Sequence, residues 1–239
     1  MSRSRHLFTD RAGGVSTGIY DSLNLRRACD DDPGNIRENY RRVLAAIGCE
    51  YYVYNSQQHT DLIRHVDLTD ALQDPYDPLP EADGLVTHTP ELALMVFGAD
   101  CVPILLEGDG VVAAVHAGWR GTAKGIAAKV VAEMDCDPAS IRAWVGPAIG
   151  LCCYEVGDEV REAMRSKLDD EAERFFHGRN VDLKGFNARL LELAGVKEID
   201  VSPVCTMCEH ERYWSHRYTN GKRGVQAGVI VLNGEKRKE

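Results

Sequence analysis

Val111-Val112-Ala113-Ala114-Val115-His116-Ala117-Gly118-Trp119-Arg120-Gly121 is an apolar run that stops at a histidine and passes into a Trp-Arg pair held between glycines. An apolar run of this length reads as a buried strand. Thr122, followed by the apolar positions Ile126, Ala127, Val130 and Val131, reads as a helix over residues 122–134. Strand, glycine loop and helix in that order define an α/β junction. There the carboxyl edge of a sheet opens on a crevice and the next helix presents free N–H groups to anions. His116 is expected in that crevice, with Arg120 near the helix entrance.

Working outward, Glu107-Gly108-Asp109-Gly110 is a hairpin turn from an apolar strand at residues 102–106 into the strand that ends at His116. A buried strand at residues 92–97 ends in Gly98-Ala99-Asp100-Cys101, and residues 84–87 read as a short strand before it. A strand at residues 51–54 delivers Gln57 and His59. Residues 35–48, from Asn35 to Gly48, fit a capped amphipathic helix, and Asp30-Asp31-Asp32 is a solvated loop or cap. The region 11–25, with Gly13, Gly14 and Gly18, reads as an ordered loop, and Asp74-Pro75-Tyr76-Asp77-Pro78-Leu79-Pro80 as a surface loop. Later come a strand at 141–145, helices at 158–168 and 183–193, and strands at 199–204 and 226–232. Strands and helices alternate without a repeat, so the expected fold is α/β or α+β, a layered domain with mixed sheet flanked by helices.

The 239 residues, 44% of them hydrophobic, suffice for one substantial core, and a single domain over residues 1–239 is expected. A formal net charge of −9 disfavours nucleic-acid and anionic-membrane partners, and the basic tail Lys236-Arg237-Lys238 is too short to reverse it. The basic opening residues precede no apolar segment long enough for a signal peptide, and no later run spans a bilayer. A cytoplasmic protein is expected, and its eight cysteines are expected to be thiols. Oligomeric state is not legible.

His59, Cys101 and His116 each follow a strand, and the fifteen positions from Cys101 to His116 suit a hairpin that returns the second residue beside the first. Singly, such a histidine is usually structural and such a cysteine a small hydrophobe. Together they make the imidazole and thiolate set that zinc prefers, with a fourth position open as in catalytic sites. The pair Cys205-x-x-Cys208 has no second paired motif to complete a structural zinc site, so these are expected as reduced thiols beside the sheet, with Cys152-Cys153 packing beside a turn. His6, His65, His88 and His177 are expected in solvent. Trp119 either stacks on a planar ligand or plugs the base of the sheet.

Four motifs closely resemble the laccase-domain, or YfiH-like, family: Arg11-Ala12-Gly13-Gly14-Val15-Ser16 with Ser22-Leu23-Asn24-Leu25; Gly98-Ala99-Asp100-Cys101-Val102-Pro103; His116-Ala117-Gly118-Trp119-Arg120-Gly121; and Gly146-Pro147-Ala148-Ile149-Gly150 with Cys152-Cys153-Tyr154-Glu155-Val156. The resemblance implies a zinc triad of His59, Cys101 and His116. Two departures stand out: Thr60 replaces the glycine of the usual Gln-Val-His-Gly, and Tyr213-Trp214-Ser215-His216-Arg217-Tyr218 has one arginine where two are common.

The family is associated with copper-dependent oxidation of phenols and with zinc-linked purine nucleoside chemistry. Eight histidines without a His-x-His pair disfavour the trinuclear copper cluster of a laccase, and one His-Cys-His set suits zinc. The resemblance therefore implies a purine nucleoside phosphorylase, acting on adenosine, inosine, guanosine and methylthioadenosine with phosphate, and an adenosine deaminase. Arg120 is expected to neutralise phosphate. Asp100 either positions and deprotonates the nucleophile or orients a ligand histidine. The competing readings are a cysteine hydrolase or cell-wall precursor editing enzyme using Cys101 and His116, a copper polyphenol oxidase, and a non-catalytic metal-binding domain.

Overall fold

Strand residues alternate between two covered faces, so the central strands are apolar at most positions. In the computed structural model, which describes residues 3–234, two mixed sheets stack face to face and helices cover both outer faces. The smaller sheet has the order β1 (Ser4–Phe8), β12 (Gln226–Leu232), β5 (Leu92–Gly98), β2 (Tyr51–Val53). The larger has the order β11 (Glu198–Val201), β8 (Arg142–Val145), β6 (Val102–Glu107), β7 (Val112–Ala117), β4 (Gly84–Thr87), β3 (Ile63–His65). β9 (Phe176–His177) and β10 (Asn180–Val181) form a small separate ribbon. The mixed α/β architecture agrees with the sequence reading.

The alternation assigns each residue a layer. Leu92, Leu94 and Val96 of β5 meet Val112 and Ala114 of β7 between the sheets. Ala93 and Met95 face the opposite way, onto Ile36, Tyr40 and Val43 of α1 (Pro33–Ile47). Ala113, Val115 and Ala117 face α3 (Ile126–Glu133) and α5 (Leu183–Leu193), with α4 (Asp158–Leu168) beside them. His116 thus shares the parity of the inter-sheet residues and lies at the end of the sandwich interior.

Several elements differ from expectation. α1 starts at Pro33, two residues earlier than Asn35, because the Asp32 carboxylate caps it by accepting from Gly34 N–H at 2.6 Å. The helix expected over 122–134 begins at Trp119, and Gly125, at φ +81°, splits it into α2 (Trp119–Lys124) and α3. The anion-facing helix entrance is therefore one short helix of six residues. β1, β3, β9, β10 and α6 (His216–Thr219) were not expected from sequence. His6 on β1 is not solvated but stacks on Trp144, with ring centroids 3.9 Å apart. No helix among the described residues is long and apolar enough to cross a membrane. Lys236, Arg237 and Lys238 lie outside the described residues.

Candidate metal centre and active-site cavity

Asp83 organises the site, and nothing in its sequence context marks it. It lies just before β4, with its side chain fully buried. Its carboxylate accepts from Gln58 N–H (3.2 Å), His59 N–H (3.0 Å), Thr60 N–H (2.7 Å) and the Thr60 hydroxyl (2.7 Å), and lies 2.7 Å from His116 Nδ1. Burial opposes ionisation here, but the bonds to His116 and Thr60 win and hold the carboxyl well below its usual range. Thr60, which replaces the family's glycine, thus contributes two of these bonds. With Nδ1 on Asp83, His116 keeps Nε2 as its free ring nitrogen. A carboxylate behind an imidazole in this way fixes tautomer and ring orientation for metal binding. The carboxylate–histidine contact is made by Asp83, not by Asp100.

His59 has φ +58°, a left-handed conformation that costs an L residue on the order of 1 kcal/mol. Its backbone N–H, donating to the Asp83 carboxylate, holds it there. Gln57 anchors the same segment by exchanging hydrogen bonds with Phe97, donating to the carbonyl at 2.7 Å and accepting from the N–H at 2.7 Å. Cys101 immediately precedes β6, where Val102 pairs with Ala117 and Pro103 with His116. The hairpin therefore returns His116 beside Cys101, as its spacing implies.

His59 Nε2 and Cys101 Sγ are 3.7 Å apart, and the two imidazoles meet edge to face at 4.9 Å. All three donor atoms lie within 4.8 Å of one another. Bonds of about 2.0–2.3 Å to one tetrahedral zinc ion would set the donors roughly 3.3–3.8 Å apart, so the set fits a single ion with small adjustments. Burial would raise the Cys101 thiol, but the charge of His116 and hydrogen bonds from both histidines bring it down to about 6. Burial would lower His116, but the Cys101 charge and Asp83 raise it to about 9.

Gly118 supplies the clearance. A Cβ there would stand 2.6 Å from His59 Cδ2 and 3.1 Å from Cys101 Sγ. Gly118→Ala is expected to push the two donors apart, costing about 1–3 kcal/mol by overpacking and weakening metal binding at least tenfold. Competition with a chromogenic chelator checks this; unchanged affinity contradicts it.

His59 and Cys101 open on a cavity of about 310 Å³ that Asp100, Tyr154, His216, Arg217 and Arg223 also line, with His116 behind them. Asp100, at φ +92°, accepts from the Thr206 hydroxyl and from Arg217 N–H, both at 2.7 Å. It pins the C-terminal segment to the site. Buried Gln226 holds the same segment by bonding the N–H and carbonyl of Trp214 at 2.7 and 3.1 Å. Arg217 Nη2 donates to Glu155 O at 3.0 Å. Arg223 is largely buried, and its Nε has no hydrogen-bond partner among the described residues. Sequence reading missed Arg223, since a basic pair in a loop normally signals solvent.

Arg120 is exposed and lies 4.3 Å over the Trp119 ring, while Trp119 packs against the core. Neither is among the residues lining the cavity. The four thiols of Cys152, Cys153, Cys205 and Cys208, expected as separate packing residues, converge into a second donor group. Sequence reading found no partner for the Cys205-x-x-Cys208 pair; the partner is Cys152-Cys153, across the fold.

A two-sheet α/β sandwich whose sheet edge presents a His-Cys-His donor set to a cationic cavity defines the protein's class. The profile of the multi-copper polyphenol oxidoreductase laccase family matches residues 5–233, and the chain belongs to this YfiH-like family. It is 37% identical over 241 residues to a purine nucleoside phosphorylase of Corynebacterium glutamicum, covering 97% of this chain and 95% of that one. Purine nucleoside phosphorylase YfiH of Escherichia coli is 37% identical over 214 residues, covering 87% of this chain and 85% of the relative. The crystal structure of YlmD from Geobacillus stearothermophilus superposes with a TM-score of 0.91 at 34% identity, covering 98% of this chain and 93% of that chain.

Proposed function

We propose that the chain is a zinc-dependent purine nucleoside phosphorylase acting on adenosine, inosine, guanosine and methylthioadenosine, with adenosine deamination as a second reaction. The observation that carries the reading is the unpaired, buried Nε of Arg223, a residue that lines the same cavity as His59 and Cys101 of the donor set. A buried guanidinium N–H without an acceptor is costly, and a phosphate oxygen would satisfy it. The names of the relatives support the same substrate class.

Zinc held by His59, Cys101 and His116 would supply Lewis acidity to an oxygen ligand in its open position. Arg223 and Arg217 bind and orient hydrogen phosphate beside it, and Asp100 positions Arg217 through the backbone N–H. In phosphorolysis a phosphate oxygen forms the new bond to ribose C1′ while the C1′–N9 bond breaks. The purine leaves with that electron pair, and the phosphate proton ends on a purine nitrogen. Tyr154, which lines the cavity, provides apolar surface for the base.

The single His-Cys-His set favours zinc over the copper oxidase reading, because a laccase needs a further histidine-rich cluster. Among the described residues the other donor group is all cysteine.

One observation favours a second reading. The Cys101 thiolate beside His116, itself held by Asp83, also has the form of a nucleophile–base–orienter triad. The second imidazole, His59, is a donor that such a triad does not require.

Purified protein incubated with each nucleoside, with and without phosphate, tests the proposal. Free base released only with phosphate is expected, and inosine accumulating from adenosine where phosphate is left out. Base released equally without phosphate contradicts phosphorolysis. Arg223→Met is expected to raise KM for phosphate about tenfold to a hundredfold with a smaller change for nucleoside, because a charged hydrogen bond contributes roughly 1.5–3 kcal/mol. Equal changes for both substrates would remove Arg223 from the phosphate site.

A further inference from the structure

Cys152, Cys153, Cys205 and Cys208 bring four sulfurs within 4.8 Å of one another, well away in sequence from the His-Cys-His donors. We propose that these four thiols form a second metal site, a structural all-cysteine zinc centre that staples the turn at residues 150–153 to the turn at residues 205–208.

The spacing carries the argument. Cys208 Sγ lies 3.5 Å from Cys152 Sγ and 3.4 Å from Cys153 Sγ. Zinc–sulfur bonds of about 2.3 Å in a tetrahedron put the sulfurs about 3.8 Å apart, close to this arrangement. A disulfide pairs Cys208 with one sulfur only, whereas Cys208 Sγ lies at nearly equal distance from two. The two turns are already docked: Ala148 pairs with Cys205 in a parallel bridge, and Thr206 N–H donates to Ala148 O at 3.0 Å. Gly150 N–H donates to Cys205 Sγ at 3.2 Å, the kind of backbone contact that supports a ligating sulfur. A Cβ on Gly150 would stand 3.1 Å from Cys205 Cβ and 3.2 Å from Cys152 Sγ, so glycine provides the approach.

Charge and access agree with an ion. Four thiols binding one zinc ion release four protons to solvent, with no change of oxidation state, and leave a net charge of −2. Buried Lys184 sits beside this charge, its ammonium donating to the carbonyls of Ser202 and Val204 at 2.6 Å on the irregular segment between β11 and Cys205. Cys205 is buried, whereas Cys152 and Cys208 are exposed, which leaves an entry path.

The staple has a purpose in the fold. Ile149 and Tyr154, flanking the first turn, line the active-site cavity, and Thr206 of the second donates its hydroxyl to Asp100. The second centre thus stabilises one wall of the cavity without touching substrate. Because the ligands are far apart in the unfolded chain, binding energy there becomes folding energy.

Metal counting tests the assignment on the full chain. Wild-type protein is expected to hold two zinc ions, Cys101→Ala one, and Cys208→Ser one. Cobalt-substituted Cys101→Ala protein is expected to show the strong thiolate-to-metal absorption and tetrahedral ligand-field bands of a site with four thiolate ligands. Should Cys208→Ser fail to fold, Cys101→Ala alone decides: chelation must release one zinc together with four newly reactive thiols. Cys101→Ala protein without zinc, Cys208→Ser protein that still holds two ions, or freshly purified chain with these cysteines in disulfides would each overturn the proposal.

Discussion

Cys101→Ala is expected to remove zinc from the His59–Cys101–His116 centre and to lower kcat/KM for phosphorolysis by about 10³-fold, roughly 4 kcal/mol of transition-state stabilisation. The thiol is central in two ways. It is the one soft donor of the set, and its charge raises His116. Activity alone does not separate a ligand from a nucleophile, since both readings lose the reaction. Metal content does: a variant that keeps wild-type zinc at this centre but loses activity supports the thiol nucleophile, and one that keeps both contradicts both readings. Alkylation of wild-type protein gives the same split, because a free thiolate near pH 7 reacts readily with iodoacetamide while a metal-bound one is protected.

The second large effect belongs to Asp83. Asp83→Ala leaves three backbone N–H groups, a hydroxyl and His116 without their shared acceptor, in a buried setting. A loss of about 3–5 kcal/mol is expected, lowering Tm by roughly 10 °C in a chain of this size. Asp83→Asn keeps one acceptor and the shape, so it is expected to fold, with metal affinity reduced about 10- to 100-fold. Thermal unfolding and chelator competition read the two effects. A Tm unchanged in Asp83→Ala would contradict the role assigned to this carboxylate. The pH dependence has a fixed sign: the folded-state carboxyl is depressed, so its stabilisation is full above the ordinary carboxylate range near pH 4 and is lost as pH falls through the lower folded value.

What sequence revealed depended on whether the signal was local. The β6–β7 hairpin was legible because a glycine turn between two apolar runs sets the register, and register brings Cys101 to His116. α4 and α5 matched to the residue because their apolar spacing starts and stops sharply. β1 escaped notice because Ser4–Phe8 becomes a strand only by pairing with β12 at the other end of the chain. Gly125 broke a helix whose apolar spacing runs on across it.

The site divides in the same way. His59, Cys101 and His116 came from chemistry-bearing residue types at strand ends, aided by family resemblance. Asp83 and Arg223 are ordinary in sequence, and only three-dimensional burial gives the first five partners and leaves the second with a free Nε. Cys152-Cys153 and Cys205-x-x-Cys208 were each read alone, because no periodicity connects turns more than fifty residues apart.

Anomalous X-ray scattering at the zinc edge, from crystals grown with phosphate, tests the central claim most directly. A zinc peak bound by His59, Cys101 and His116 is expected, with a phosphate oxygen in the open position and Arg223 Nε donating to the same phosphate. A fourth protein ligand closing the peak at His59, Cys101 and His116, or phosphate bound elsewhere with Cys101 free of metal, would contradict it.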